Sequence, residues 1–298
     1  MAINNQQQQQ KKSQSTNPSR VKWSESDSAL QDVKSTFGMV PEFTKNFTDQ
    51  SIPGAWAEAK VLRFGPATAL DLKTKGLIAA AVSAQIPCDM INYFEHRATL
   101  AEGATRQEQL EAVLLSAITR HWSTVLNGSL QDKNEFRKEV DSVMAYVKKM
   151  MADAGSTPPP EEMFLFKPTT AEEAYKDIEK MLGTVPKFFK QLPKDGIAGA
   201  WSEFKGVQLN PYTQLDGKQK ELIGLAVAAQ IPCEYCVYFH RAAAALHGAS
   251  EQEIQEAIAV SAVTRHWSTI FHGPQIDMTS FKKDADQMLQ NSAKSTLQ

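Results

Sequence analysis

The sequence predicts an all-α fold, built as two tandem helical bundles of about six helices each. The first observation is a repeat: Ala84–Cys88 (AQIPC) returns as Ala229–Cys233, and Thr119–Thr124 (TRHWST) returns as Thr264–Thr269, both 145 residues further on. The second is that apolar residues in both copies follow a helical period, whereas strand signals are sparse. The third is that several of these segments begin at helix-capping signals.

Two helix starts are marked by capping boxes. Thr105–Glu108 (TRQE) and Ser250–Glu253 (SEQE) each precede an apolar segment of helical period. Each box follows a glycine, Gly103 or Gly248, which is suited to ending the previous helix. The same start and stop signals therefore occur at equivalent positions of the two copies.

The middle of each copy predicts a helical hairpin. In the second copy, one helix is expected from Asp216 to about Gln230, and the next from Pro232 to His247, with Pro232 at its first helical position. Both helices are rich in Ala, Leu, Ile and Val and carry few charges. We therefore expect this hairpin near the middle of its bundle, covered by the flanking helices.

The repeat also divides the chain. The copies pair without insertion from Asp27 with Glu172 to Phe136 with Phe281, and a glycine and three prolines between them favour a helix stop and an extended spacer. At roughly 140 residues, each copy is expected to bury its own core. We predict a disordered polar tail over residues 1–22, a first repeat over 23–154, a linker over 155–168 and a second repeat over 169–298.

Composition excludes several classes of function. The formal charge of -2 and pI near 6.3 provide no basic field for nucleic acid, and no segment approaches the roughly 18 apolar residues that span a bilayer. The N-terminal residues are polar throughout and lack the apolar region of a secretory signal. Three cysteines are too few for a disulfide framework. A soluble cytosolic protein with reduced thiols is expected, without nucleic-acid or membrane partners.

The two copies differ where chemistry is expected. Residue types shared by both are interpreted as scaffold, and types found only in the second as candidates for catalysis. The candidates are Glu221, Cys233, Cys236 and His240. The equivalent positions of the first copy hold Gly76, Cys88, Ile91 and Glu95. The CxxC pair, the carboxylate and the imidazole thus occur together in the second copy alone.

The spacing predicts that these four side chains meet. Cys233, Cys236 and His240 are at positions i, i+3 and i+7 of one helix and share a face. Glu221 lies nine residues before the predicted turn and His240 nine after it, so an antiparallel hairpin brings them opposite each other. A carboxylate there would orient the ring and favour its protonated form.

Two properties of the thiols indicate redox chemistry. A helix N-terminus favours negative charge, and thiols of CxxC pairs at such positions have pKa values of about 7 or below. Cysteines three residues apart on a helix can also close a disulfide, which tends to be labile rather than structural. His240, one turn beyond Cys236, can transfer the proton.

Other interpretations stay open. Cys233, Cys236 and His240 could supply three zinc ligands, although the chain has no second cysteine pair. Cysteines are also often small buried apolar residues, which is the interpretation for Cys88. The histidines of the TRHWST segments, His121 and His266, occur in both copies and are interpreted as scaffold.

The pattern Glu221, eleven residues, Cys233, two residues, Cys236, three residues, His240 resembles the motif of the alkylhydroperoxidase AhpD-like branch of the carboxymuconolactone decarboxylase superfamily. The all-α repeat extends the resemblance over most of residues 25 to 290. It implies Cys236 as the peroxidatic nucleophile, Cys233 as the resolving cysteine, and His240 with Glu221 as a proton relay. Tyr235 departs from the pattern, since the best-known members have a second histidine there; tyrosine can still donate a hydrogen bond.

The resemblance implies a thiol-dependent peroxidase or disulfide oxidoreductase that reduces a small hydroperoxide and is reset by an external dithiol. It implies no bound cofactor. Members assemble as symmetric oligomers, so a trimer that mimics a hexamer is expected, with the first repeat inactive and its apolar faces walling the site of the second. Two alternatives remain: a non-redox enzyme of the decarboxylase branch that uses His240 and Glu221, and a non-catalytic assembly protein.

Overall fold

The structure, a computed structural model, describes residues 24–66, 68–155 and 157–295. In these ranges the chain forms thirteen α-helices and no β-strand, which confirms the all-α prediction. No helix in the described ranges is both long enough and apolar enough to cross a membrane. The tail predicted over residues 1–22 lies outside the described residues.

The helices follow the order that the repeat predicts. The first repeat contributes α1 (Ser24–Phe37), α2 (Ile52–Leu62), α3 (Leu72–Ser83), α4 (Asp89–Ala101), α5 (Arg106–Gly128) and α6 (Lys133–Ala154). After them come α7 (Glu162–Leu165), α8 (Ala171–Leu182), α9 (Lys194–Phe204), α10 (Gly217–Gln230), α11 (Glu234–Leu246), α12 (Glu251–His272) and α13 (Met278–Ser295). A π-helical turn, Lys205–Leu209, continues α9, whereas the equivalent described residues 60–64 contain no π-helix.

Both predicted capping boxes form. The Thr105 hydroxyl accepts from the Glu108 backbone N–H at 3.1 Å, and the Glu108 carboxylate accepts from the Thr105 N–H at 2.7 Å. Ser250 and Glu253 repeat these bonds at 3.2 and 2.7 Å. The glycine two residues before each box has a positive φ, which ends the preceding helix. These caps set the starts of α5 and α12.

The hairpin of the second repeat is formed by α10 and α11, but α11 begins later than predicted. Pro232 is not its first helical residue: the backbone N–H of Cys233 still bonds to Ala228 O at 2.9 Å and so belongs to the end of α10. Cys233 is extended and caps α11, with its sulfur accepting from the Cys236 N–H at 3.2 Å. Pro232 therefore lies in the turn between the two helices.

The predicted linker is not an extended spacer throughout. It contains the short helix α7. It is also hydrogen-bonded to the second repeat, because Lys205 Nζ donates to Phe166 O at 2.6 Å. Lys205 is also paired with Asp177 of α8 at 2.6 Å. The domain boundaries themselves stay a prediction.

The two repeats interlock and share a core. Helix α5 packs on α10 as well as on α3, and α12 packs on α3 as well as on α10. The last helix of each repeat lies on the other: α6 packs against α11, and α13 against α4. One apolar cluster includes Val33 and Leu115 of the first repeat with Val260 and Phe281 of the second. The expectation that each repeat buries its own core is therefore wrong.

Buried ion pairs cross between the repeats at equivalent positions. Lys75 Nζ lies 2.8 Å from the carboxylate of Glu256, and Lys220 Nζ lies 3.4 Å from that of Glu111. Lys75 is equivalent to Lys220, and Glu111 to Glu256, so each repeat supplies the cation of one pair and the anion of the other. Such reciprocal contacts are those of a twofold interface, here formed within a single chain.

Candidate functional site

The hairpin brings a carboxylate and an imidazole together. Glu221 of α10 and His240 of α11 are joined by Oε2 and Nδ1 at 2.8 Å, and their side chains are only 3% and 5% exposed. The contact fixes the orientation of the ring and leaves Nε2 on its far side. The register of the hairpin predicts this pair.

Gly224 provides the space that the imidazole occupies. A Cβ at this position would lie 2.4 Å from Cε1 and 2.5 Å from Nδ1 of His240. The equivalent residue of the first repeat is Ala79 of α3, and Glu95 occupies the position equivalent to His240 there. The glycine in α10 is therefore required by the ring rather than by the helix.

Cys233 and Cys236 form a disulfide at the start of α11, with their Cα atoms 5.3 Å apart. Cys233 is 1% exposed and Cys236 is 5% exposed. Asn127 of the first repeat lies with Nδ2 3.7 Å from the sulfur of Cys233. Cys88 is the buried free cysteine of the described chain, as its interpretation as a core residue requires.

A cavity of about 40 Å³ adjoins the disulfide and the imidazole. From the second repeat it is lined by Phe188, Phe204, Cys236, Phe239 and His240. From the first repeat it is lined by Ile118, Thr119, Trp122, Leu126 and Phe136. Most of these side chains are apolar, so the reactive groups of the second repeat face a pocket that the first repeat half encloses.

Thr119 departs from the scaffold interpretation of the shared TRHWST segment. Its Oγ1 lies 3.4 Å from Nε2 of His240, across the repeat interface. The two histidines of the segment do not reach the site: His121 packs on Trp122, and His266 packs near Phe47 and Trp267. Sequence comparison of the copies could not identify Thr119, because Thr264 occupies the equivalent position.

Gln208 is a further site residue that sequence analysis missed. It lies in the π-helical turn after α9, and its Nε2 donates to Oε1 of Glu221 at 2.8 Å. A signal was present, because the equivalent residue of the first repeat is Arg63. The same comparison that identified Glu221 and His240 would have found this difference.

Tyr235 does not contact the imidazole or the carboxylate. Its hydroxyl donates to Gln131 O of the first repeat at 2.6 Å, and its ring packs edge-on against Phe136. The tyrosine thus donates a hydrogen bond, as expected, but to a backbone group at the repeat interface.

The first repeat holds a different polar cluster at the equivalent place. Arg63 contacts Glu95 at 2.8 Å and Glu102 at 2.8 Å, and Gly76 leaves the space for Glu102. Burial opposes the charge of Arg63, but the two carboxylates outweigh it and raise the pKa of the guanidinium. Burial also raises the pKa of Glu102 against the attraction of Arg63. This cluster contains neither a thiol nor an imidazole.

Among the described residues, no group of three or more His, Cys, Asp or Glu side chains is arranged to hold a metal ion. In the disulfide state the two sulfurs are bonded to each other, so neither is free to bind a metal.

Comparison with known proteins agrees with this fold. Residues 196–273, which contain all four candidate residues, match the carboxymuconolactone decarboxylase family. The chain is also similar to a solved structure from Burkholderia xenovorans LB400 that is provisionally named a gamma-carboxymuconolactone decarboxylase subunit, with a TM-score of 0.56 and 18% identity. That match covers 84% of this chain and 95% of the other, and it shows a common fold. The search of curated proteins gave no match.

Proposed function

We propose, because residues 196–273 match the carboxymuconolactone decarboxylase family, that the chain is an enzyme of the thiol-dependent peroxidase type, which reduces hydroperoxides through Cys236 and Cys233. Cys236 is the nucleophile, Cys233 resolves the intermediate, and His240 with Glu221 transfers the proton. The observation that carries the proposal is that Cys236 and His240 line one cavity, while Cys233 lies beside it and does not line it.

The proton relay begins at the reduced Cys236. His240 Nε2 takes the thiol proton, and Glu221 stabilises the imidazolium through Nδ1. The thiolate attacks the terminal oxygen of the hydroperoxide, the O–O bond breaks, and the leaving alkoxide takes the proton from His240. Cys236 becomes a sulfenic acid and the peroxide leaves as an alcohol.

Cys233 is suited to the second step. Its sulfur accepts the Cys236 backbone N–H at the start of α11, where the helix dipole also favours a thiolate. This thiolate attacks the sulfenic sulfur, the S–O bond breaks, and hydroxide leaves as water after taking up a proton. The two thiols have then supplied the two electrons that reduced the peroxide, and a disulfide remains.

An external dithiol completes the cycle. We expect it to attack Cys236, because this sulfur is the one that lines the cavity. Cys233 is then the leaving thiolate, stabilised by the same backbone N–H. The second thiol of the dithiol attacks the mixed disulfide, Cys236 leaves as a thiolate, and the external dithiol is oxidised to a disulfide. The proposal includes a cytosolic location and a homo-oligomer, with a trimer as the expected state.

The test is a count of free thiols by alkylation and mass spectrometry, before and after one equivalent of an organic hydroperoxide is added to the reduced protein. Loss of two thiols, localised to Cys233 and Cys236 with Cys88 unchanged, is expected. Cys236→Ser should abolish peroxide consumption, whereas Cys88→Ser should preserve it.

The decarboxylase branch provides the competing outcome. The His240–Glu221 pair facing an apolar cavity could also transfer protons on an organic acid without any redox step. If the wild-type thiols do not react with hydroperoxide, and if a lactone acid is turned over by the double variant Cys233→Ser, Cys236→Ser, this second function replaces the first.

A further inference from the structure

Gln208 completes a chain of buried polar contacts that ends at His240. Gln208 is only 3% exposed. Nε2 donates to Oε1 of Glu221 at 2.8 Å, and the other carboxylate oxygen, Oε2, lies 2.8 Å from Nδ1 of His240. Each oxygen of Glu221 thus has its own partner, and the partner opposite the imidazole is Gln208.

The orientation of the Gln208 amide follows from the carboxylate. An ionised carboxylate only accepts, so the amide nitrogen must face it. This leaves Oε1 of Gln208 buried without a hydrogen-bond partner in the described part of the chain. An unsatisfied buried carbonyl is costly. Because Oε1 of Gln208 is left without a partner, the hydrogen bond that Nε2 donates to Glu221 is the contact that holds the side chain in this orientation.

The backbone around Gln208 is held by two buried lysines. Lys205, at the start of the π-helical turn, is paired with Asp177 at 2.6 Å. Lys220, beside Glu221 on α10, donates to Val207 O at 2.7 Å and to the carbonyl just beyond the turn at 2.5 Å. Single π-helical turns occur frequently at functional sites. The fixed turn therefore aims Gln208 at Glu221.

The first repeat provides an internal comparison. There Arg63 occupies the position of Gln208, and its Nε donates to Glu95, the residue equivalent to His240, at 2.9 Å. Glycine replaces the carboxylate of Glu221 in that repeat. The amide therefore occurs in the same repeat as the carboxylate and the imidazole, and a different side chain occurs where they are missing.

We propose that Gln208 is a positioning residue of the Glu221–His240 pair. Its amide donates to Oε1 of Glu221 and so directs Oε2 at Nδ1 of His240. Nε2 of His240 is then the ring atom that exchanges a proton with Cys236. This role rests on the proposed function, because it assigns Gln208 an effect on the same relay.

Other charged and titratable groups surround the relay. Lys220 neighbours Glu221 on α10, and its ammonium lies 3.4 Å from Glu111 of α5. His247, at the end of α11, lines a cavity that Glu221 also lines. Burial lowers the pKa of Lys220, while Glu111 opposes that shift. These groups are the same in the wild type and in every variant below, so differences among the variants report on position 208.

Two variants of Gln208 separate donation from packing. Gln208→Leu keeps most of the volume and removes the donor. Gln208→Glu keeps the shape and, at pH 6, supplies a donor again, because two buried carboxyl groups in contact share one proton. The matched control is Gln109→Leu, since Gln109 is 1% exposed, donates to His96 O at 2.7 Å and also has an unpartnered Oε1.

The readout is the rate of Cys236 alkylation in the reduced protein as a function of pH, which requires no peroxide. For Gln208→Leu, the profile should move to higher pH by about one unit, with a rate about tenfold lower at pH 6. Gln208→Glu should stay within about threefold of the wild type at pH 6. Gln109→Leu should be less stable than the wild type, but the pH dependence of its Cys236 alkylation should be unchanged.

Two results would overturn the proposal. One is a Gln208→Leu profile that superimposes on that of the wild type. The other is an equal loss for the leucine and glutamate variants at every pH, which would assign Gln208 to packing. Failure of the wild type to consume peroxide would instead reject the proposed function and leave the alkylation profiles to decide the role of Gln208.

Discussion

At the scale of single residues, the site depends on space as much as on reactive groups. The imidazole of His240 lies where a side chain at position 224 would be, so its orientation toward Glu221 requires glycine at that position. Cys236 lies one turn before His240 on α11. Any displacement of the ring therefore changes both the carboxylate contact and the path of the thiol proton.

Gly224→Ala should lower peroxidase activity by about 100-fold, because misplacement of a catalytic group by about 1 Å has an effect of that order. The new Cβ would meet the ring at 2.4 to 2.8 Å. The measurement is kcat/KM with an organic hydroperoxide. Gly199→Ala is the control, since a Cβ there meets nothing within 4 Å. Equal activity of the two variants would mean that the ring position does not matter.

Thr119 and Thr264 form a matched pair across the repeats. Thr119→Val removes the hydroxyl that lies 3.4 Å from Nε2 of His240, and should reduce kcat about three- to tenfold, the value of one ordinary hydrogen bond. Thr264→Val removes a hydroxyl that donates to Val260 O in its own helix. This second variant should leave kcat unchanged. A larger effect of Thr264→Val would contradict the assignment of the site to the second repeat.

At the scale of elements, the hairpin was predictable and the start of α11 was not. The register across the turn predicts the contact of Glu221 with His240 because it depends only on helix geometry. The sequence did not predict Cys233 as the N-cap of α11, because Pro232 favours a helix start. In the structure, the N–H of Cys233 still donates to a carbonyl of α10. The π-helical turn that aims Gln208 was also missed, since it is held by Lys220 from a different helix.

Helix α11 is tied to the first repeat by Tyr235. Tyr235→Phe removes the hydrogen bond to Gln131 O and should lower the free energy of unfolding by about 1–3 kcal/mol, because the buried carbonyl loses its donor. Urea denaturation measures this change. Tyr238→Phe is the control: its hydroxyl bonds to Asp141 at the surface and should contribute less than about 0.5 kcal/mol. Lost activity with unchanged stability would place Tyr235 in the proton relay.

At the scale of the whole molecule, the repeat predicted two similar folds but not their interlocking. An internal repeat indicates that each copy forms the same elements. It does not indicate whether a helix packs on the hairpin of its own copy or on that of the other copy. The ion pairs Lys75–Glu256 and Lys220–Glu111 could not be recognised for the same reason. Helical period and capping signals were sufficient for the fold class, the starts of α5 and α12 and the contact within the hairpin, but not for the contacts between the repeats.

The pair formed by Lys75 and Glu256 should make the interlocked core sensitive to acid. Burial alone would raise the pKa of Glu256, but hydrogen bonds from Lys75 and from the Leu70 backbone outweigh it and lower the pKa below the usual 4.5. The unfolded chain then binds the proton more tightly. The contribution is therefore complete above about pH 4.5 and is lost as the pH falls through the lower value of the folded state.

Glu256→Gln should accordingly lower the free energy of unfolding by about 3–5 kcal/mol at pH 7, because it leaves Lys75 buried without its counter-charge. The difference in free energy of unfolding between this variant and the wild type should become smaller as the pH falls below 4.5. Urea denaturation between pH 3 and pH 7 measures it, with the exposed Glu58→Gln as control. A constant difference across this range would show that the carboxylate charge of Glu256 does not stabilise the fold.

The placement of α13 also determines when the protein can finish folding during its synthesis. Tyr93 of α4 bonds to Asp286 at 2.9 Å, and Asn291 donates to Phe37 O of α1 at 3.0 Å, so α13 completes the packing of the first repeat. Domains that fold as units can do so one after another as the nascent chain leaves the ribosome. Here the amino-terminal half must wait with an open apolar face until α13 has been made.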